Sequence, residues 1–171
     1  MEIFRYGEKE ITYLKKQDEV LGAAIDRIGL IQRRVIPDLF EALVNSILSQ
    51  QISSKAAETV WKRMLERFDV ITPESIAKAA VEDIQQCGIT FRKAKYIKEI
   101  GETVFSGKLD LEELKHLPDQ QVIERLVALN GVGKWTAEML LIFSLQRPDV
   151  VSWGDLGIRR GMMNLYGLTS L

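Results

Sequence analysis

The stretch after Gly133 constrains this chain most. Trp135, Ala137, Met139, Leu140, Leu141, Ile142 and Phe143 leave it apolar nearly all round as far as about Leu145. A helix without a polar face belongs at the centre of a fold, so other elements have to surround it. Those elements read as helical stripes. Leu21, Ala24, Ile25 and Ile28 recur at helical spacing and stop at Gly29. Pro37-Asp38 opens a helix whose apolar positions, Leu39 to Leu48, are dense enough for a buried one. Val60, Trp61, Met64, Leu65 and Phe68 form the next stripe. Thr72-Pro73-Glu74 is a capped start, and Arg92 to Phe105 places Ala94, Ile97, Ile100 and Val104 on one face. Pro118-Asp119 starts a helix carrying Val122, Ile123, Leu126 and Val127, and Asp155 opens a last one through Ile158, Met162 and Leu165. No segment alternates as a strand does, so the fold class is all-α.

The residues through about Lys16 mix Ile3, Phe4, Tyr6, Ile11, Tyr13 and Leu14 with charges in no clean period, which predicts an extended or irregular lead-in. At 171 residues and 46% hydrophobic content the chain can bury a real core. It has no apolar run of membrane-spanning length and no secretion signal at its start, which points to a cytoplasmic, nucleoid-associated protein. Cys87 and His116 are its single cysteine and histidine. A disulfide, a zinc site and an iron-sulfur cluster on four cysteines are therefore excluded. Cys87 reads as a small buried hydrophobe and His116 as a loop residue. The formal charge of -1 does not decide for or against a polyanionic partner, since binding follows where Lys and Arg cluster.

Between the last polar helix and the apolar one lies Leu129-Asn130-Gly131-Val132-Gly133-Lys134. Its glycines allow a tight turn and close backbone approach. Such a hairpin is equally a plain helix-helix connection and a phosphate grip, in which outward N–H groups and a helix start, with Lys134 beside them, hold a phosphate without reading sequence. Asp155, in Ser152-Trp153-Gly154-Asp155, is first a helix N-cap, a place compatible with an ionised carboxylate facing developing positive charge. Trp135 on its own is a core residue or a pocket residue, and Gln50 and Gln51 are exposed loop amides. Arg159 can lie on the Asp155 face and pair with it. Arg92, Lys93, Lys95 and Lys98 are either a solvated face or part of a DNA footprint.

In Leu129 to Ala137 together with Asp155, the chain resembles the helix-hairpin-helix (HhH-GPD) DNA glycosylase superfamily. Ile47-Leu48-Ser49-Gln50-Gln51-Ile52-Ser53 and Gly88-Ile89-Thr90-Phe91-Arg92-Lys93-Ala94 resemble its 3-methyladenine DNA glycosylase II branch. The resemblance implies a two-lobed helical domain over 1-171: a core at 38-116, the hairpin and catalytic segment at 119-168, and residues 1-37 packing on the other lobe. It implies release of alkylated purines from double-stranded DNA by base flipping, with Asp155 catalytic and Trp135 and Met139 lining the base pocket. Gln51 would be the wedge, supported by Gln50, and Gly131, Gly133, Lys134 and Thr136 would meet DNA. No cofactor is required; a monovalent cation on the carbonyls of Val127, Leu129 and Val132 is implied. Trp135 stands where lyase members carry a nucleophilic lysine, which implies a monofunctional hydrolase, acting as a monomer.

The chain also departs from the family. Asn130 replaces a frequent proline, which would soften the hairpin. Met139 stands where an aromatic is common, which would alter the pocket. The N-terminal β-domain of larger members is absent, and members usually continue with further helices past the equivalent of Leu171, so the chain reads as truncated. A non-catalytic DNA-binding module is the rival expectation.

Overall fold

The computed structural model describes residues 2-171, and among them the chain is helical apart from one short ribbon. The helices are α1 (Glu8–Gln17), α2 (Glu19–Ile28), α3 (Leu39–Ser49), α4 (Ser54–Phe68), α5 (Pro73–Lys78), α6 (Val81–Gln85), α7 (Phe91–Phe105), α8 (Leu111–Leu114), α9 (Asp119–Val127), α10 (Lys134–Phe143) and α11 (Leu156–Tyr166). β1 (Glu2–Ile3) pairs antiparallel with β2 (Arg34–Val35), Glu2 opposite Val35 and Ile3 opposite Arg34. Strands this short carry no alternation, so periodicity had nothing to detect. The ribbon extends to Phe4, whose N–H donates to the Arg33 carbonyl at 2.9 Å. It is fastened to the central helix where the Ile36 N–H donates to the Phe143 carbonyl, also at 2.9 Å.

The expected extended or irregular lead-in runs only to Gly7; from Glu8 the chain is helix α1. None of its residues is buried, so it has no apolar stripe to show in the sequence. Its start is fixed locally: the Glu10 carboxylate accepts the Gly7 N–H at 2.8 Å. Glu8 and Glu10 lie at its positive end and Lys15 and Lys16 at its negative end. α1 packs on α2, where Gly22 admits the Lys15 backbone; a Cβ there would sit 3.3 Å from Lys15 Cα.

One buried core runs from Leu39 to Leu141, with Leu43, Ile47, Leu48, Met64, Ile97, Leu126 and Leu141 fully enclosed. α9 and α10 thus belong with the 38-116 core, because their buried residues Val122, Leu126, Ala137, Leu140 and Leu141 pack into it. After α10 a loop leads to α11. Beyond that loop α11 buries none of its residues and packs on α2, where Tyr166 Oη donates to Asp18 Oδ2 at 2.6 Å. No helix among the described residues is long and apolar enough to cross a membrane.

Candidate DNA-facing catalytic site

The hairpin between α9 and α10 is built by its glycines and braced from three sides. Gly131 has φ +86, a left-handed conformation that L side chains rarely adopt. A Cβ there would meet the Tyr96 ring at 2.5 Å, so α7 packs directly on the turn. Gln50 Nε2 donates to the Gly131 carbonyl at 2.9 Å, which joins the α3–α4 loop to the hairpin. Asn130 Nδ2 donates to Glu99 Oε2 at 3.0 Å. The softening expected from the missing proline is therefore opposed by a side-chain bond to α7. Val132 is buried and its N–H closes the turn on the Leu129 carbonyl at 3.2 Å.

Gly133 caps α10 with extended backbone and open space around it, and no side chain satisfies the first-turn N–H groups. That is a free helix N-terminus with Lys134 beside it. Thr136, in the same turn, is only 6% exposed.

Gln51 stands at the α3–α4 loop with φ +57, an unusual conformation for a residue with a side chain, and it is exposed. The loop is tied down by Lys93, whose ammonium donates to the carbonyls of Leu48, at 2.9 Å, and Gln50. A cation at the carbonyl end of α3 satisfies groups a helix leaves unpaired. Burial lowers the Lys93 pKa. The basic cluster at 92-98 is therefore not one face. Lys93 turns inward and Lys98 reaches the Ala77 carbonyl, while Arg92 and Lys95 stay exposed.

Asp155 is the N-cap of α11. Its Oδ1 accepts from Gly157 N at 2.7 Å and Ile158 N at 3.0 Å, and its Oδ2 accepts from Trp135 Nε1 at 2.8 Å. The indole N–H, and after it the backbone N–H of Ile158, hold the carboxyl below the usual carboxylate range. The expected Arg159 partner is turned away, toward the Leu171 carbonyl. Trp135 is 50% exposed, so it is not a core residue; its N–H edge meets the carboxylate. Met139, one turn on, lines a cavity of about 380 Å³ with Asn45, Ser46, Trp61 and Phe143.

Reading the sequence missed Glu138 and Ser152. Both are buried, and Ser152 Oγ donates to Glu138 Oε2 at 2.5 Å. The available signal was an acid in an otherwise apolar helix, which needs a buried partner. Tyr96, Glu99 and the inward turn of Lys93 were missed too, because each acts across a distance that helical period does not encode.

The arrangement links, through the Gln50–Gly131 and Trp135–Asp155 bonds, an exposed helix N-terminus fit for a phosphate on α10, a loop-borne amide in strained backbone between α3 and α4, and an ionised carboxylate at the head of α11. Comparison with known proteins agrees with that class. Residues 44-171 match the model of the HhH-GPD superfamily base excision DNA repair proteins. DNA-3-methyladenine glycosylase 1 of Schizosaccharomyces pombe is 39% identical over 136 residues, covering 77% of this chain and 60% of the relative. A crystal structure of DNA-3-methyladenine glycosidase from Bacillus halodurans superposes with TM-score 0.85 at 39% identity, covering 98% of this chain and 78% of that one. The S. pombe enzyme in complex with abasic DNA superposes with TM-score 0.78 at 34% identity, covering 95% of this chain and 82% of that one. The chain belongs to the HhH-GPD superfamily. It spans less than two thirds of the length of the curated S. pombe relative.

Proposed function

We propose that this chain is a DNA repair glycosylase that hydrolyses the N-glycosidic bond of alkylated purines of the 3-methyladenine and 7-methylguanine type in double-stranded DNA. It leaves an abasic site. The observation that carries the reading is the Asp155 carboxylate, held ionised at the start of α11 and bound by Trp135 from the first turn after the hairpin.

The first-turn N–H groups at Gly133 and Lys134 grip a phosphate, and Gly131 lets the backbone come close to it. Gln51 fills the gap left in the duplex by the flipped nucleotide, and Gln50 holds the loop to the hairpin. Trp135 and Met139 border the extruded base, the indole lying against an electron-poor ring. Alkylation makes the base a cationic leaving group, so no strong general acid is called for. As the C1′–N bond breaks, its electron pair passes to the base and neutralises it. Asp155 stabilises the positive charge growing at C1′. A free lone pair on its carboxylate accepts a proton from the water whose oxygen bonds C1′.

No amine stands at position 135, so the enzyme is monofunctional and forms no Schiff base. It acts as a monomer, at the DNA, with no obligatory cofactor. A monovalent cation would suit the carbonyls of Val127, Leu129 and Val132, since neutral oxygens replace the hydration shell of such ions. The Leu129 carbonyl, although it accepts from Val132 N–H, has a lone pair to spare. When bound, the cation would link hairpin and phosphate.

The deciding assay is release of 3-methyladenine or 7-methylguanine from alkylated duplex DNA, with borohydride present in a parallel reaction. Free base without a trapped covalent adduct is expected. DNA binding without base release would instead make the chain a non-catalytic module, and a trapped adduct would make it a lyase.

A further inference from the structure

α11 buries none of its own residues, so packing alone does not fix the carboxylate that caps it. Polar bonds from α10 do. One is Trp135 Nε1 on Asp155 Oδ2. The other starts three residues along the helix, on the same side, at Glu138. Glu138 is 8% exposed and Ser152 wholly buried, and the Ser152 hydroxyl donates to Glu138 Oε2. The Ser152 carbonyl in turn accepts the Asp155 N–H at 3.0 Å, closing the turn that delivers Asp155 to the head of α11. The opposite oxygen of Glu138 lies 3.9 Å from Lys134 Nζ, whose side chain is exposed on the hairpin side of the helix.

A carboxylate enclosed in an apolar helix is costly unless its bonds are made, and here they are spent on the loop rather than on the core. We propose that Glu138 and Ser152 are positioning residues: a buried latch that fixes the Asp155 turn against α10, with Lys134 tying the latch to the phosphate-gripping hairpin. Neither touches the reacting atoms. They act by keeping the carboxylate where Trp135 and a substrate sugar meet it, and small displacements of such a group are expensive in rate.

The role in catalysis rests on the reading of Asp155 as the catalytic carboxylate, so the test includes a readout that needs no turnover. In 15N-labelled full-length protein the Trp135 indole N–H, assigned by Trp135→Phe, reports its bond to Asp155. Ser152→Ala is expected to move that resonance toward the position of a water-exposed indole. Glu138→Ala, which opens the latch from its other side, should move it likewise. Glu138→Gln keeps an acceptor for Ser152 and should leave it in place. On alkylated DNA, single-turnover base release should fall about tenfold to a hundredfold in Ser152→Ala, while affinity for an abasic-site duplex stays within about twofold. The double variant Glu138→Ala/Ser152→Ala should be no slower than either single one, as for groups acting as a unit.

An unmoved indole resonance in both alanine variants overturns the latch. So does a rate loss matched by an equal loss of DNA affinity, which would mark a general structural role. If the unmodified protein releases no base, the glycosylase reading fails by itself, and the indole resonance still decides the latch.

Discussion

The hairpin and the Asp155 turn meet at Trp135 but are held by different forces. The hairpin grows out of the core: Leu126, Val132, Ala137 and Leu141 are all buried around it, and the Tyr96 ring closes on Gly131. The turn carrying Asp155 belongs to a helix with no buried residue, and hydrogen bonds to Trp135, Glu138 and its own first-turn N–H groups place it. Packing gives a rigid platform, suited to gripping a backbone that is the same in every DNA. Hydrogen bonds give a carboxylate an orientation and a charge state, which chemistry needs and apolar contacts cannot supply.

This contrast can be broken at either end. The largest effect on stability is expected in the platform. Leu126→Ala empties a fully enclosed position and should cost about 2–5 kcal/mol in urea unfolding, with an unchanged m value. Gly131→Ala should come next, at about 1–3 kcal/mol, from the left-handed backbone and the contact with Tyr96, and DNA affinity should fall with it. Equal stability of Gly131→Ala and the unmodified chain would mean that the hairpin is not pressed on α7.

The smallest effect on stability is expected at the turn. Trp135→Phe keeps an aromatic ring but removes the N–H that contributes most to lowering the Asp155 pKa. The Asp155 pKa should then rise toward the ordinary carboxylate range. In the proposed mechanism the carboxylate acts in its ionised form, so the acid limb of the pH–rate profile should move to higher pH. The melting temperature should hardly change. A profile that stays in place would show that the indole bond does not set the charge on Asp155.

The same contrast explains what could be read in the chain. Stripes such as Leu39 to Leu48 and Ile97 to Val104 are packing, and packing repeats with the helix, so α3 and α7 were legible to within a residue or two. α1 was not, since its start rests on a Glu10–Gly7 bond and it buries nothing. Gly131, Gln50 and Asp155 stood out as unusual residue types at the ends of helices. Their partners did not. Nothing in the order of residues pairs Asn130 with Glu99, 31 positions apart, or turns Lys93 inward while Arg92 and Lys95 face solvent. Arg159 shows the converse. Helical spacing allowed it to face Asp155, but its guanidinium reaches the Leu171 carbonyl instead.

The central claim is that the hairpin holds the DNA while Asp155 carries out the hydrolysis, and Asp155→Asn divides the two. Asparagine caps a helix about as well as aspartate, so the fold should survive the change. Release of 3-methyladenine from alkylated duplex DNA should be abolished, with affinity for an abasic-site duplex and the melting temperature both as in the unmodified protein. Base release by Asp155→Asn at the unmodified rate would contradict the account.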